Sequence, residues 1–147
     1  MRRTMTYGLY ALIALAVVFA GFALWVRLAP TDATRWHRDP ATAQDPSTPN
    51  FARLDRLTSL SPAQAAAAIA AQAESEGAVR LAGDDLYSTW IARTRIMRYP
   101  DFVSIRITPE GAGTRVVSFS RSRFGYGDGG VNRARLSRWI GRLPAPD

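Results

Sequence analysis

The stretch whose residue types and spacing best suit chemistry is Ser120-Arg121-Ser122-Arg123-Phe124-Gly125-Tyr126-Gly127-Asp128-Gly129-Gly130-Val131-Asn132. Four glycines in six residues permit backbone conformations closed to other residues. If a helix begins near Val131, the loop leads into a helix N-terminus, where free N–H groups and the dipole favour an anion. Arg121 and Arg123 would add charge-assisted contacts. The candidate anion site is therefore Arg121 and Arg123 with the backbone at Gly129, Gly130 and Val131. In an alternating strand the two arginines share a face, so they act together only if that face looks toward the loop. The glycine spacing fits neither a P-loop nor a dinucleotide fingerprint. A competing account of the same residues is that Asp128 caps the helix and the glycines permit a tight turn.

Catalysis has less to work with. Between Leu86 and Arg142 the carboxylates are Asp101, Glu110 and Asp128. A hydrolase acting on envelope material would use Asp128 or Asp101 as acid/base, yet no nucleophile–base pair can be read from spacing. There is no cysteine, which removes disulfides, thiolate nucleophiles and thiolate metal sites together. His37 is the one histidine and cannot build a metal site alone. No catalytic residue, metal or cofactor is assigned. The leading class is a non-enzymatic binding or scaffold module.

All 19 basic residues are arginine, and the formal net charge is +7. Thr31–Asp85 holds five arginines against eight acids, whereas Leu86–Arg142 holds eleven against three. A cationic surface in the C-terminal half suits phosphate or acidic headgroups; the plainer account is a solvated arginine-rich surface.

These residues need a scaffold, and the pattern supplies one. Phe102–Thr108 alternates, with Val103, Ile105 and Ile107 on one face. Arg115–Arg123 alternates too, Val117 and Phe119 opposing Val116, Ser118 and Ser120, and Arg121 is in register with Phe119. Leu86–Arg98 reads as a further strand, and Ala78–Ala82 as a weak edge strand. Pro100-Asp101 and Pro109–Gly113 read as turns, and such short connections force antiparallel pairing. Ser61-Pro62-Ala63-Gln64 is a capping box with proline at the first helical position, opening a helix over 61–76. Leu136, Trp139, Ile140 and Leu143 form one apolar stripe of a helix over 131–143, with Arg135, Arg138 and Arg142 off it.

Upstream, Tyr7–Val26 is twenty residues without a charge, long enough to span the roughly 30 Å core of a bilayer. It outlasts the h-region of a cleaved signal peptide, which favours an uncleaved anchor. Arg2 and Arg3 precede it and Arg27 ends it. A short basic tail before a first helix stays cytoplasmic, which puts the domain in the periplasm, although the arginine counts nearly balance. Ala29–Thr58, with Pro30, Pro40, Pro46 and Pro49, reads as linker. Trp36-His37 interrupts it as a docking point, and the three-residue recurrence of Phe51, Leu54 and Leu57 lets its end pack on the domain.

WIARTRIMRYPDFVSIRI and SRSRFGYGDGGVNRARL resemble the two signature blocks of the domain-of-unknown-function 1499 family, "aRTr…fPDdvsvri" and "S.SR.G..D.GvN..Ri". The resemblance covers roughly 55–142. It implies a small bacterial, often membrane-anchored protein with no established activity. The matching positions are Arg93, Thr94, Arg95, Pro100, Asp101, Ser120, Ser122, Arg123, Gly125, Asp128, Gly130 and Asn132, a shared pattern without an assigned role. Gly129 departs from the bulkier residue of that pattern.

The expected organisation is a tail and transmembrane helix over 1–28 (span 7–26), a Pro-rich linker over 29–58 and a domain over 59–147. The domain is expected to be α+β and two-layered, a three- to four-stranded antiparallel sheet with both helices on one face. The expected setting is the bacterial inner membrane. Expected partners are the lipid bilayer and an anionic ligand or envelope protein, with no nucleic acid; oligomeric state is not legible.

Overall fold

The computed structural model describes residues 2–95 and 97–146, with side chains from Thr6 onward. Nine elements follow in order: α1 (Arg2–Leu28), α2 (Ala33–Trp36), β1 (Phe51–Thr58), α3 (Pro62–Ser75), β2 (Val79–Gly83), β3 (Tyr87–Arg93), β4 (Pro100–Glu110), β5 (Gly113–Ser122) and α4 (Val131–Trp139). Within α1, Thr6–Leu28 is long and apolar enough to cross a membrane. Its leucines and valines face outward, except Val26, which is buried.

The α+β expectation holds, with five strands in place of three or four, in the order β1-β5-β4-β3-β2. Every pairing is antiparallel. Alternation decides the faces. Val116 opposes Ile107, Ser118 opposes Ile105, and Val103 lies between Ser120 and Trp90. These residues form the buried face, under Ile69 and the alanines of α3 and under Leu136, Trp139 and Ile140 at α4. Small side chains let α3 lie close to the sheet, as its Ala65, Ala66 and Ala73 are buried. The capping box at Ser61 is formed as its sequence predicts, the hydroxyl accepting from Gln64 N–H and the Gln64 side chain accepting from Ser61 N–H.

Three expectations need correction. Pro100-Asp101 opens β4 and is not a turn, because the chain reverses before it, where Thr94 N–H reaches the Tyr99 carbonyl at 3.0 Å. Leu86–Arg98 is accordingly a shorter strand, β3. The third correction is the linker of 29–58. Phe51–Thr58 is the edge strand β1, paired with β5 from Phe51 opposite Arg121 to Thr58 opposite Thr114. Residues 30–50 are a strap over the second face of the sheet.

That strap exists because the second face is also partly apolar and needs cover. Trp36 stacks on Phe102 with ring centroids 3.9 Å apart, and His37 stacks on Tyr87 at 4.1 Å. His37 Nδ1 is 2.9 Å from Thr89 Oγ1. Asp39 pairs with Arg106 at 2.6 Å, and Arg53 donates to the Pro40 and Ala43 carbonyls at 2.5 Å and to Asp45 at 2.6 Å. The domain thus has helices on one face and its own upstream chain on the other.

Candidate functional site

The family-pattern residues converge at one end of the sheet, where β3 ends, β4 begins, β5 ends and α4 starts. Gly130, at φ +84°, turns the chain into α4. Asp128 Oδ1 accepts from Gly130 N–H at 3.1 Å and Oδ2 from Asn132 N–H at 2.7 Å, while Val131 N–H reaches the Asp128 carbonyl at 3.2 Å. The helix terminus is therefore closed by the chain's own carboxylate.

Asn132 lies fully buried on the inner side of α4. Its carboxamide oxygen accepts from Ser120 Oγ at 2.5 Å and from Arg135 at 2.9 Å. Its nitrogen donates to the Asn50 carbonyl at 2.9 Å and to Ser122 Oγ at 3.0 Å. Asn132 thereby ties α4 to β5 and to the end of the strap, with all its hydrogen-bonding capacity used. Arg135 continues the network, donating to Asp101 Oδ2 at 2.7 Å. Asn50 closes the loop side by donating to the Gly125 carbonyl at 2.6 Å. Ordinary helix patterning puts Arg135 off the apolar stripe; it is buried nonetheless, because Asp101 and Asn132 receive it. Its position within the second sequence block was the available signal.

The turn closed by Thr94 and Tyr99 forms the other wall. Tyr99 N–H donates to Thr94 Oγ1 at 3.0 Å, and Arg93 donates to the Arg98 carbonyl at 3.0 Å. Arg98 adopts a left-handed φ of +60°. Burial, with the positive charges of Arg98 and Arg123 nearby, lowers the pKa of Arg93. Arg95 is exposed on the same turn. Arg123 donates to the Pro30 carbonyl at 3.1 Å, and its own N–H reaches the Pro100 carbonyl at 3.2 Å. A cleft of about 500 Å³, lined by Phe22, Thr94, Tyr99, Ser122, Phe124 and Val131, lies between the turn and the glycine loop. A second cleft of about 660 Å³ adjoins it, with Arg93, Arg95 and Arg138 on its wall.

This end also touches α1. The rings of Phe22 and Tyr99 are 6.4 Å apart, those of Trp25 and Phe124 5.4 Å, and those of Tyr99 and Phe124 5.9 Å. Trp25 and Phe22 belong to the last two turns of the apolar helix, so the motif-bearing end sits where that helix ends.

Of the five residues expected to gather on an anion, Arg123, Gly129, Gly130 and Val131 share this end. Arg121 does not. Alternation turns it with Phe119 to the strap face, where its guanidinium donates to the Trp36 carbonyl and, at 3.2 Å, to Ser104 Oγ. The expected convergence of Arg121 and Arg123 on the glycine loop is therefore not formed, and Asp128 already takes the N–H groups of Gly130 and Asn132. The capping account describes Asp128 better. Both carboxylates considered for acid/base work, Asp101 and Asp128, are held in these structural bonds. Among the described residues, no group of three or more His, Cys, Asp or Glu side chains could hold a metal ion.

No curated protein and no solved structure matches the chain. Residues 32–143 match the family described as protein of unknown function, DUF1499, and the match takes in the strap as well as the sheet. With most of its length covered by that match, this chain belongs to the DUF1499 family.

Proposed function

We propose that the protein is a non-enzymatic binding module of the bacterial envelope, anchored in the inner membrane by α1 with its domain in the periplasm, and that it engages anionic lipid headgroups. The observation that carries this reading is the packing of the motif-bearing end on the last turns of α1 through Phe22–Tyr99 and Trp25–Phe124. If α1 spans the bilayer, those rings lie at headgroup depth, where amphipathic aromatics settle. Tyr126, 76% exposed on the glycine loop, adds another. Arg93 and Arg95 then line a cleft beside the headgroups, Arg98 and Arg123 lie at the same end of the sheet, and clustered arginines there attract anionic lipid. Periplasmic orientation rests on the short basic tail at Arg2 and Arg3.

The test is lipid selection by the full chain reconstituted in nanodiscs of mixed phosphatidylglycerol and phosphatidylcholine, then released into the gas phase for native mass spectrometry. Wild type retains phosphatidylglycerol over phosphatidylcholine, and the variant carrying Gln at 93, 95, 98 and 123 loses that preference. Equal retention of both lipids by wild type defeats the reading. A reporter active only in the cytoplasm, fused after Asp147, stays silent if the domain is periplasmic.

A further inference from the structure

Arg121 is 6% exposed, yet among the described residues it forms no salt bridge. Burying a guanidinium without a counter-charge is costly, since a carbonyl and a hydroxyl supply only partial negative charge. Two of its five N–H donors are used, by the Trp36 carbonyl and Ser104 Oγ. Arg38 and Arg53, which act on its charge, are positive as well. Asp39 is the carboxylate on the same wall, but it is spent: Oδ1 accepts from Arg106 at 2.9 Å and from Ala41 N–H at 3.0 Å, and Oδ2 lies 2.6 Å from Arg106.

Arg121 lines a cleft of about 700 Å³ between the strap and the sheet, and Arg35 and Arg38 line it too. Neither of those two forms an ion pair among the described residues. Aromatic faces hold the cations in place. Arg121 lies 4.7 Å from the Phe119 ring centroid and Arg35 lies 5.4 Å from that of Trp36. A planar, preformed set of donors beside two further guanidinium groups matches the oxygens of a phosphate.

We propose that this strap-side cleft is a second binding site, separate from the membrane-facing end, that takes a phosphate group on Arg121, Arg35 and Arg38. The group can belong to a soluble phosphate compound or to a lipid headgroup reaching past α1, and the chemistry of recognition is the same.

The full chain in a non-ionic detergent is titrated with inorganic pyrophosphate, at ionic strength held constant with sodium chloride, while its thermal midpoint is followed. In parallel, its midpoint is compared in phosphatidylglycerol and phosphatidylcholine nanodiscs. A pyrophosphate-dependent rise in midpoint identifies a soluble ligand; a rise confined to phosphatidylglycerol identifies a headgroup. Each response must fall in Arg121→Met, with an apparent affinity loss of about tenfold for the lost charge-assisted contacts. Should Arg121→Met fail to fold, the Arg35→Gln/Arg38→Gln variant, altered only on the exposed strap, must show the same loss. No midpoint response in either medium, or a response unchanged in these variants, overturns the proposal. Changing Arg93, Arg95, Arg98 and Arg123 leaves intact the pyrophosphate response and that part of the phosphatidylglycerol response which Arg121→Met removes, which separates this site from lipid selection at the other end.

Discussion

The Asp101 carboxylate lies 2.7 Å from the Arg135 guanidinium, with the two side chains 3% and 5% exposed. This pair locks the start of β4 to α4 beneath the glycine loop. Removing one member strands the other without a counter-charge. Arg135→Met is expected to cost about 3–5 kcal/mol, whereas the combined Asp101→Leu/Arg135→Met change costs much less. Urea denaturation in detergent, followed by tryptophan fluorescence, measures both. A double-variant loss equal to the Arg135→Met and Asp101→Leu losses added together would show that the pair is not coupled.

Asp128 serves α4 as a cap through two backbone N–H groups. Asp128→Ala is expected to lower stability by about 1 kcal/mol, in the range of lost N-caps. Amide exchange should speed up at residues 130–134 and stay unchanged in α3. Asp128→Asn should restore part of the loss, because it keeps an acceptor.

Glu76, just past the end of α3, receives two hydrogen bonds from Arg138 of α4, at 2.8 and 2.9 Å. Chiefly through these bonds its pKa falls from the usual 4.5 to about 2. A carboxylate depressed by folding stabilises in full above its unfolded pKa and loses that contribution as pH falls through the folded value. Between pH 5 and pH 2 the wild type should therefore lose more stability than Glu76→Gln does, by about 1 kcal/mol once solvent screening of this partly exposed pair is allowed for. Parallel pH curves for the two proteins would argue against the assignment.

Gly83 sits at φ +87°, and a Cβ there would come 1.9 Å from the Tyr87 carbonyl oxygen and 2.9 Å from His37 Cε1. Gly83→Ala is expected to cost about 2–3 kcal/mol, from the left-handed backbone and the forced movement of the β2–β3 turn. Because His37 packs there, its ring resonances should shift in NMR spectra. Unmoved resonances would mean that the strap does not depend on this turn.

Much of the scaffold could be read from the chain. The Ser61–Gln64 capping box, the alternation through Val103, Ile105 and Ile107, and the stripe at Leu136, Trp139 and Ile140 are local signals, and tertiary packing agrees with them. The strap was harder. Residues 30–50 have no period because they cover a surface through single anchors, and only the oddity of Trp36-His37 in a polar stretch hinted at docking. Within the candidate site, position was more legible than partnership. Asp101, Ser120, Ser122 and Asn132 stand out in the family pattern, but sequence spacing does not say that Arg135 turns inward to join them. Arg121 carried the right clue, its register with Phe119, and Arg123 parts from it because β5 ends at Ser122.

The pairing of β1 with β5 sets the order in which this protein can be completed. Synthesis delivers α1, the strap and β1 first, yet β1 finds its partner only when Gly113–Ser122 has been made. The final cover arrives later still, when Arg56 of β1 meets the Leu143 carbonyl. Such long-range closure is slow compared with helix or hairpin formation. The residues that follow α1 therefore wait, unpaired, for nearly the whole chain to be made. A product cut short before β5 would keep α1 but leave strap and β1 open to proteases, so that the last strand made decides whether the first segments after α1 survive.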